Sequence, residues 1–272
     1  MRRLPIHFLG GGNMADALIG GLIAAGHDAG CITVTEPDAA RADALRAQHG
    51  VRTQMPGEAI AEAAVVVLAV KPQQAGAALT TTRVPASCLF ISIAAGLRCD
   101  WLQQQLPDGV RVVRSMPNTP ARLGAGVTGL WADASVDDAA RAQADYVLGA
   151  AVATVWLQDE AQINAVTALS GSGPAYVFAL GEAMAEAGEA LGLPRDTAET
   201  LARHTLIGAG RLLAEDDAAP GTLRERVTSK GGTTAAALDV LHSGDLAGLV
   251  ARAMAAAEAR ARALSAPPSS AS

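Results

Sequence analysis

Leu9-Gly10-Gly11-Gly12-Asn13-Met14-Ala15 is the stretch on which the fold turns. Its form is G-x-G-x-x-A. It follows an apolar run from 4 to 9 that reads as a strand, and it opens a segment from 13 to 25 whose apolar residues recur at helical spacing. In that setting each small residue has a task. Gly10 makes the tight turn, Gly12 lets a pyrophosphate approach the backbone, and Ala15 lets the helix pack close to the strand, while the helix N-terminus attracts the anion. An acid, Glu36, stands about 20 residues further on, where the dinucleotide fingerprint calls for one. The expected pyrophosphate contacts are therefore Gly10, Gly11, Gly12, Asn13 and Met14; the competing reading is a purely structural turn.

Working outward, the strand and helix patterns alternate. Strands are predicted at 31 to 35, 65 to 70, 88 to 93, 111 to 114, 126 to 131 and 152 to 156, and helices near 38 to 48, 56 to 62, 72 to 80, 98 to 105 and 137 to 149. Strands separated by helices imply βαβ units and a mainly parallel sheet covered on both faces. After about 158 no convincing strand follows, only Ala/Leu/Glu/Arg stretches broken at Gly171-Ser172-Gly173-Pro174, Gly192-Leu193-Pro194 and Pro220-Gly221. The fold class is α/β: a Rossmann-type doubly wound sheet followed by an all-helical domain. Boundaries are placed at 1 to 159 and 160 to 264, with 265 to 272, rich in proline and serine, as a disordered tail.

Composition narrows the function classes. Of 272 residues, 50% are hydrophobic but only 3% aromatic and 18% charged, so the core must be built from small and branched side chains on closely approaching helices. The net charge of -6 offers no basic field for a phosphate backbone, which argues against nucleic acid. Cys31, Cys88 and Cys99 form no C-x-x-C pair, which fits a reducing cytoplasm, and five scattered histidines show no metal-ligand spacing, so no metal is expected. No run is long and apolar enough to span a membrane; Lys71 ends the run at 64 to 70.

Four further features bear on chemistry. Glu36 follows the second strand, where a carboxylate can accept from both adenosine ribose hydroxyls and repel a 2'-phosphate. That favours NADH, although Arg41 offers a nearby phosphate contact and a solvated turn residue is the plainer reading. The strand ends Ala69-Val70-Lys71-Pro72 and Ile93-Ala94-Ala95 lie where ligands bind in open α/β sheets, or are ordinary exits from strands. Asn118 sits between two prolines in Met116-Pro117-Asn118-Thr119-Pro120, as a ligand-positioning group or a turn former. Finally, Ser229-Lys230-Gly231-Gly232-Thr233-Thr234 precedes a helical pattern and presents backbone amides and hydroxyls suited to a carboxylate or phosphate, or simply a capped helix.

Taken together, G-G-G-N-M-A at 10, A-V-K-P at 69, I-A-A-G at 93, M-P-N-T-P at 116, L-S-G-S-G-P-A-Y at 169 and V-T-S-K-G-G-T-T at 227 resemble pyrroline-5-carboxylate reductase across roughly 4 to 262. The resemblance implies reduction of a cyclic imine to L-proline by NADPH or NADH, and a helical domain that makes a homodimer or a larger homo-oligomer. It places Gly10 to Met14 on the pyrophosphate, Glu36 by the ribose, and Ala69 to Pro72 with Ile93 to Ala95 on the nicotinamide side, where the rigid loop of Asn118 could position the nicotinamide or the substrate. Ser229, Gly232 and Thr233 would hold the substrate carboxylate, Thr234 would face the imine nitrogen as the catalytic residue, and Glu160 would lie near the substrate. The chain departs from the family at Lys230, usually proline, at Pro56, often asparagine, and at Glu36, often serine or a basic residue. A β-hydroxyacid dehydrogenase would need a lysine on the interdomain helix, and 160 to 192 contains none. A non-enzymatic dinucleotide sensor would have no need of the Gly-Gly-Thr-Thr segment.

Overall fold

The computed structural model describes residues 1–60, 63–150 and 152–265. The first part alternates as the periodicity predicts: β1 (Ile6–Leu9), α1 (Asn13–Ala24), β2 (Ile32–Thr35), α2 (Ala39–His49), β3 (Arg52–Gln54), β4 (Val65–Leu68), α3 (Ala75–Thr80), β5 (Leu89–Ser92), α4 (Cys99–Gln105), β6 (Arg111–Met116), β7 (Gly126–Ala132), α5 (Asp138–Gly149) and β8 (Val152–Trp156). The strands form one sheet in the order β3-β2-β1-β4-β5-β6-β7-β8. Every pairing is parallel except β6 with β7. The crossover from β1 to β4 reverses the direction of winding, and this is the switch point of a doubly wound sheet.

The near-continuous apolar strands are explained by burial on both faces. In β4, Val65 and Val67 join a cluster with Ile19, Leu22 and Leu148 from α1 and α5, while Val66 and Leu68 join the opposite cluster with Leu79 and Leu102 from α3 and α4. Successive side chains on a strand point to opposite faces, so both layers of helices are held by one short run.

Two local expectations fail for identifiable reasons. β3 is missing from the predicted strands because Arg52-Thr53-Gln54 carries no apolar signal; it is an edge strand recruited by pairing with Thr33 to Thr35 of β2. The helix expected at 56 to 62 does not form over 56 to 60, and 61 and 62 lie outside the described residues. Pro56 and Gly57 instead make a turn in which the Met55 amide donates to the Glu58 carboxylate at 2.8 Å.

The remaining elements are helical: α6 (Gln162–Val166), α7 (Gly173–Ala190), α8 (Arg195–Glu215), α9 (Pro220–Arg226), α10 (Thr233–Ser243) and α11 (Leu246–Ser265). Gly171-Ser172-Gly173 marks a single π turn over Thr167–Gly171, closed by a Ser172 amide bond to the Thr167 carbonyl at 2.8 Å. The chain divides into two compact units, residues 1–172 with 257–272, and residues 173–256. The second unit therefore begins later than the change in composition at 160, and the end of α11 belongs with the sheet. Ser265 is not tail but the last residue of α11, where its hydroxyl donates to the Ala261 carbonyl at 2.9 Å; 266–272 lie outside the described residues.

Within the second unit α7 packs on α8 through small residues. A Cβ on Gly188 would sit 3.2 Å from the Ala198 Cβ, and one on Gly181 would lie 2.8 Å from Leu206 Cδ1. The buried hydrophobic residues of this unit are alanines, Ala185, Ala198 and Ala202, whereas Phe178 is 71% exposed and Val240 70%.

Candidate active site

The loops named from sequence leave the sheet at the same edge. Leu9 pairs with Thr35 and Leu68, and Leu68 with Ser92, so β1, β2, β4 and β5 end level with one another. The segments that follow, Gly10 to Met14, Glu36, Ala69 to Pro72 and Ile93 to Ala95, thus start from adjacent strand ends at the switch point. Between these segments Gly10 N–H donates to the Thr35 carbonyl at 2.9 Å, Ala69 N–H to Leu9 at 2.8 Å and Ile93 N–H to Leu68 at 3.1 Å.

The glycine turn fits a dinucleotide in detail. Gly10 has φ +99°, and a Cβ there would lie 2.8 Å from Val70 Cγ1 and 2.9 Å from the Ala69 carbonyl oxygen, so glycine is required by both conformation and space. At Gly12 a Cβ would meet nothing within 4 Å; Gly12 and Asn13 are exposed at the start of α1, where free amides and the helix dipole favour an anion. Among the backbone's surfaces on this loop, that open one suits a pyrophosphate.

Glu36 is held at the rim of this turn. One carboxylate oxygen accepts from Gly11 N–H at 2.8 Å and the other from Asp38 N–H at 3.0 Å. Each oxygen keeps acceptor capacity for a hydroxyl. Arg41, the possible phosphate contact, is drawn inward instead: Nε donates to the Gly11 carbonyl at 2.6 Å and Nη2 to Asp16 at 2.9 Å. His49 completes the group, with Nε2 2.6 Å from the other Asp16 oxygen. Burial works against the Asp16 charge, but the bonds from His49 and Arg41 outweigh it and hold its carboxyl below the usual carboxylate range.

On the nicotinamide side, Ile93 and Ala94 are buried, Ala69, Val70, Pro72 and Ala95 are half-buried and Lys71 is exposed. Asn118 is buried with both ends of its carboxamide engaged: Oδ1 accepts from Val127 N–H at 3.0 Å and Nδ2 donates to the Ser170 carbonyl at 3.2 Å. Its side chain staples the β6 exit to β7 and the π turn.

Glu160 proves to be part of a clamp that no sequence motif announced. Its Oε1 accepts from Arg114 Nη1 at 2.9 Å and from Cys99 N–H at 2.8 Å, the latter at the start of α4. Arg114 is only 3% exposed. Its Nη2 reaches Ser265 Oγ at 3.4 Å, and Gly96, with φ +80°, leaves room for the Leu264 carbonyl, which a Cβ would approach to 3.0 Å. These contacts border a cavity of about 520 Å³ lined by Arg98, Arg114, Glu160, Asn164, Arg262 and Ser265 among others. The loop carrying Ile93 to Ala95 is therefore fixed at its far end by Glu160 and by the terminus of α11.

In the second unit, Ser229 and Gly232 form the turn into α10. Gly232 N–H donates to the Ser229 carbonyl at 3.0 Å, so that amide closes the turn, and a Cβ on Gly232 would collide with Ser229 Oγ. Gly232 is the N-cap and supplies no side chain. The first amides of α10, on Thr233 and Thr234, precede the first intrahelical bond, Ala236 N–H to Gly232 at 3.2 Å. Thr233, Ser229 and Lys230 are exposed and Thr234 half-buried.

Residues 160–264 match the family described as pyrroline-5-carboxylate reductase dimerisation, and residues 5–96 match one described as NADP oxidoreductase coenzyme F420-dependent. A pyrroline-5-carboxylate reductase of Pseudomonas aeruginosa is 45% identical over 259 residues, covering 94% of each chain. The chain belongs to the pyrroline-5-carboxylate reductase family. Another pyrroline-5-carboxylate reductase, from Pasteurella multocida, is 41% identical over 96% of this chain and 98% of its own. Among solved structures, the pyrroline-5-carboxylate reductase of Coxiella burnetii superposes with a TM-score of 0.89 at 40% identity, covering 97% of this chain and 99% of its own. The Plasmodium falciparum pyrroline carboxylate reductase, solved with NADP bound, gives 0.81 at 26% identity over 98% and 100%. Membership of the pyrroline-5-carboxylate reductase family makes this chain an oxidoreductase with a Rossmann-type dinucleotide half and a dimerisation half. Among the described residues no helix is long and apolar enough to cross a membrane.

Proposed function

We infer that this protein reduces L-1-pyrroline-5-carboxylate to L-proline with NAD(P)H, the last step of proline biosynthesis. The observation that carries the reading is near-full-length kinship with pyrroline-5-carboxylate reductases in a chain whose glycine turn has the open backbone a dinucleotide needs. The cofactor, when bound, supplies a hydride from nicotinamide C4 to the imine carbon.

The chain's own residues bind and orient. Gly12, Asn13 and the first turn of α1 would hold the pyrophosphate, and Glu36 the ribose. Gly10 and Gly11 shape that turn, and Ala69 to Pro72 with Ile93 to Ala95 would form the nicotinamide wall, small enough for a flat ring. Asn118 and Glu160 act at one remove, by ordering the loops around them. For the substrate, the amides of Thr233 and Thr234 at the start of α10 suit a carboxylate, with Ser229 and Gly232 fixing the turn and Lys230 adding a cation beside it. Thr234 would orient the imine nitrogen through its hydroxyl, a poor acid in water that works by hydrogen bonding.

The assay is oxidation of the reduced cofactor, followed by absorbance, on addition of pyrroline-5-carboxylate; no turnover would overturn the reading. Thr234→Ala is expected to lose at least about tenfold in kcat/KM, about 1.4 kcal/mol of transition-state stabilisation. An unchanged kcat/KM would remove Thr234 from the site.

The same reading places the enzyme in the cytoplasm, in keeping with three free cysteines, and makes it a homodimer or an assembly of dimers. The exposed apolar side chains of the second unit, Val177, Phe178, Leu180 and Val240 among them, supply surface for self-association. Light scattering at micromolar concentration tests this, and a monomer would contradict it.

A further inference from the structure

We propose that Asp16 sets the cofactor preference of this enzyme towards NADH by holding Arg41 in a closed ion pair while Glu36 presents its carboxylate at the ribose position. The proposal rests on the dinucleotide reading of the glycine turn and extends it to the adenosine end.

Three observations support it. Glu36 is fixed by two backbone donors, Gly11 N–H at 2.8 Å and Asp38 N–H at 3.0 Å, so the carboxylate cannot easily swing aside to admit a phosphate dianion. A ribose hydroxyl can donate to such a group; a 2'-phosphate can only be repelled by it. Arg41, the cation closest in sequence to this site, is bound on both faces of its fork, Nε to the Gly11 carbonyl at 2.6 Å and Nη2 to Asp16 at 2.9 Å. Asp16 in turn is braced by His49 at 2.6 Å. The Arg41 and Asp16 side chains are only 28% and 18% exposed, so the pair is less screened than a surface one. Turning Arg41 outward to a phosphate would break two charge-assisted bonds to make new ones, which removes most of the gain. Of the other cations near α2, Arg46 pairs with Asp43 and Thr53, and Arg52 opens β3 opposite Thr33, at the other end of the strand from Glu36.

The primary readout is binding to the free enzyme, which does not depend on turnover. Calorimetric Kd values are measured for ADP-ribose and for its 2'-phosphate, in low salt, with kcat/KM for NADH and NADPH alongside. The wild type should bind ADP-ribose at least about tenfold more tightly. Glu36→Gln, which keeps shape and removes charge, should narrow that ratio severalfold. Asp16→Ala should narrow it too, by improving the 2'-phosphate ligand, and Arg41→Ala added to Asp16→Ala should abolish the improvement. Arg41→Ala alone should leave the ratio within about twofold of wild type.

A wild type that binds the 2'-phosphate equally or better overturns the proposal. So does a ratio unmoved by Asp16→Ala in a folded variant; where Asp16→Ala fails to fold, a ratio unmoved by Glu36→Gln overturns the charge argument instead. If neither ligand binds, the dinucleotide reading itself falls; if both bind in the expected ratio but pyrroline-5-carboxylate is not turned over, only the substrate assignment falls.

Discussion

Removing Glu160 should cost more stability than any single change near the proposed cofactor site, because of what it leaves behind. Arg114 is 3% exposed and its Nη1 lies 2.9 Å from Glu160 Oε1. Its Nε is buried with no hydrogen-bond partner among the described residues, so the carboxylate is the charged partner on which the guanidinium depends. Taking away one member of a buried pair typically costs about 3–5 kcal/mol, chiefly through the uncompensated charge. Glu160 also accepts from Cys99 N–H at 2.8 Å at the start of α4, where Arg98 supplies no side-chain cap, so one helix amide is orphaned as well. Glu160 is 18% exposed at the side chain, so water can partly compensate, and the lower end, about 3 kcal/mol, is the expectation for Glu160→Ala.

The decisive comparison is with the double replacement Glu160→Leu with Arg114→Met, which removes both charges and keeps volume. It should recover the part of the loss that comes from the uncompensated charge and leave the part that comes from the orphaned Cys99 amide, about 1–2 kcal/mol. Urea unfolding, followed by circular dichroism at one fixed protein concentration, gives both values, since association makes stability concentration-dependent. A cost under about 1 kcal/mol for Glu160→Ala, or a double variant as weak as the single one, would refute the argument.

The two glycines of the turn should separate. Gly10→Ala places a Cβ 2.8 Å from Val70 Cγ1 at φ +99° and should lower the melting temperature, whereas Gly12→Ala, with nothing within 4 Å, should melt like wild type yet bind NADH at least about tenfold more weakly by calorimetry. Burial pushes the His7 imidazole down to about 4. The neutral ring is the folded form, so its contribution is complete above about pH 6.5 and is lost as pH falls towards 4; over that window it amounts to about 3 kcal/mol, and His7→Gln should flatten the fall in the urea midpoint. Burial raises the Cys88 thiol to about 11 and the Cys99 thiol to about 12. A thiol reagent should therefore titrate half-buried Cys31 in the native protein, and Cys88 and Cys99 only after unfolding.

What the sequence reveals here is whatever repeats locally. β1, β4 and β5 are apolar runs buried on both faces, and Gly10 and Gly12 advertise a turn whose demands are set within a few residues. β3 carries no such signal, because Arg52-Thr53-Gln54 is extended only through its pairing with β2. The clamp of Arg114, Glu160 and Ser265 joins residues 46 and 151 positions apart, and nothing in the spacing of charged residues forecasts which will meet. Asp16 directly follows the fingerprint, yet its role depends on Arg41 and His49 arriving from α2. Motifs thus locate the site, and tertiary contacts decide what each side chain within it is free to do.

The second unit shows why composition alone reads ambiguously. An excess of alanine fits both codon bias and close helix packing, and the structure uses small residues for packing: Gly181, Gly188 and Ala198 let α7 lie against α8. Small residues bury little apolar area, and about 25 cal/mol per Å² gives such an interface little to offset the entropy of ordering it. Meanwhile Phe178, Val240 and Leu249 stay largely exposed in this unit. A unit that buries alanines and exposes larger side chains has the pattern of half a core. That pattern, more than the length of the chain, is the physical reason to expect that copies of this protein complete one another.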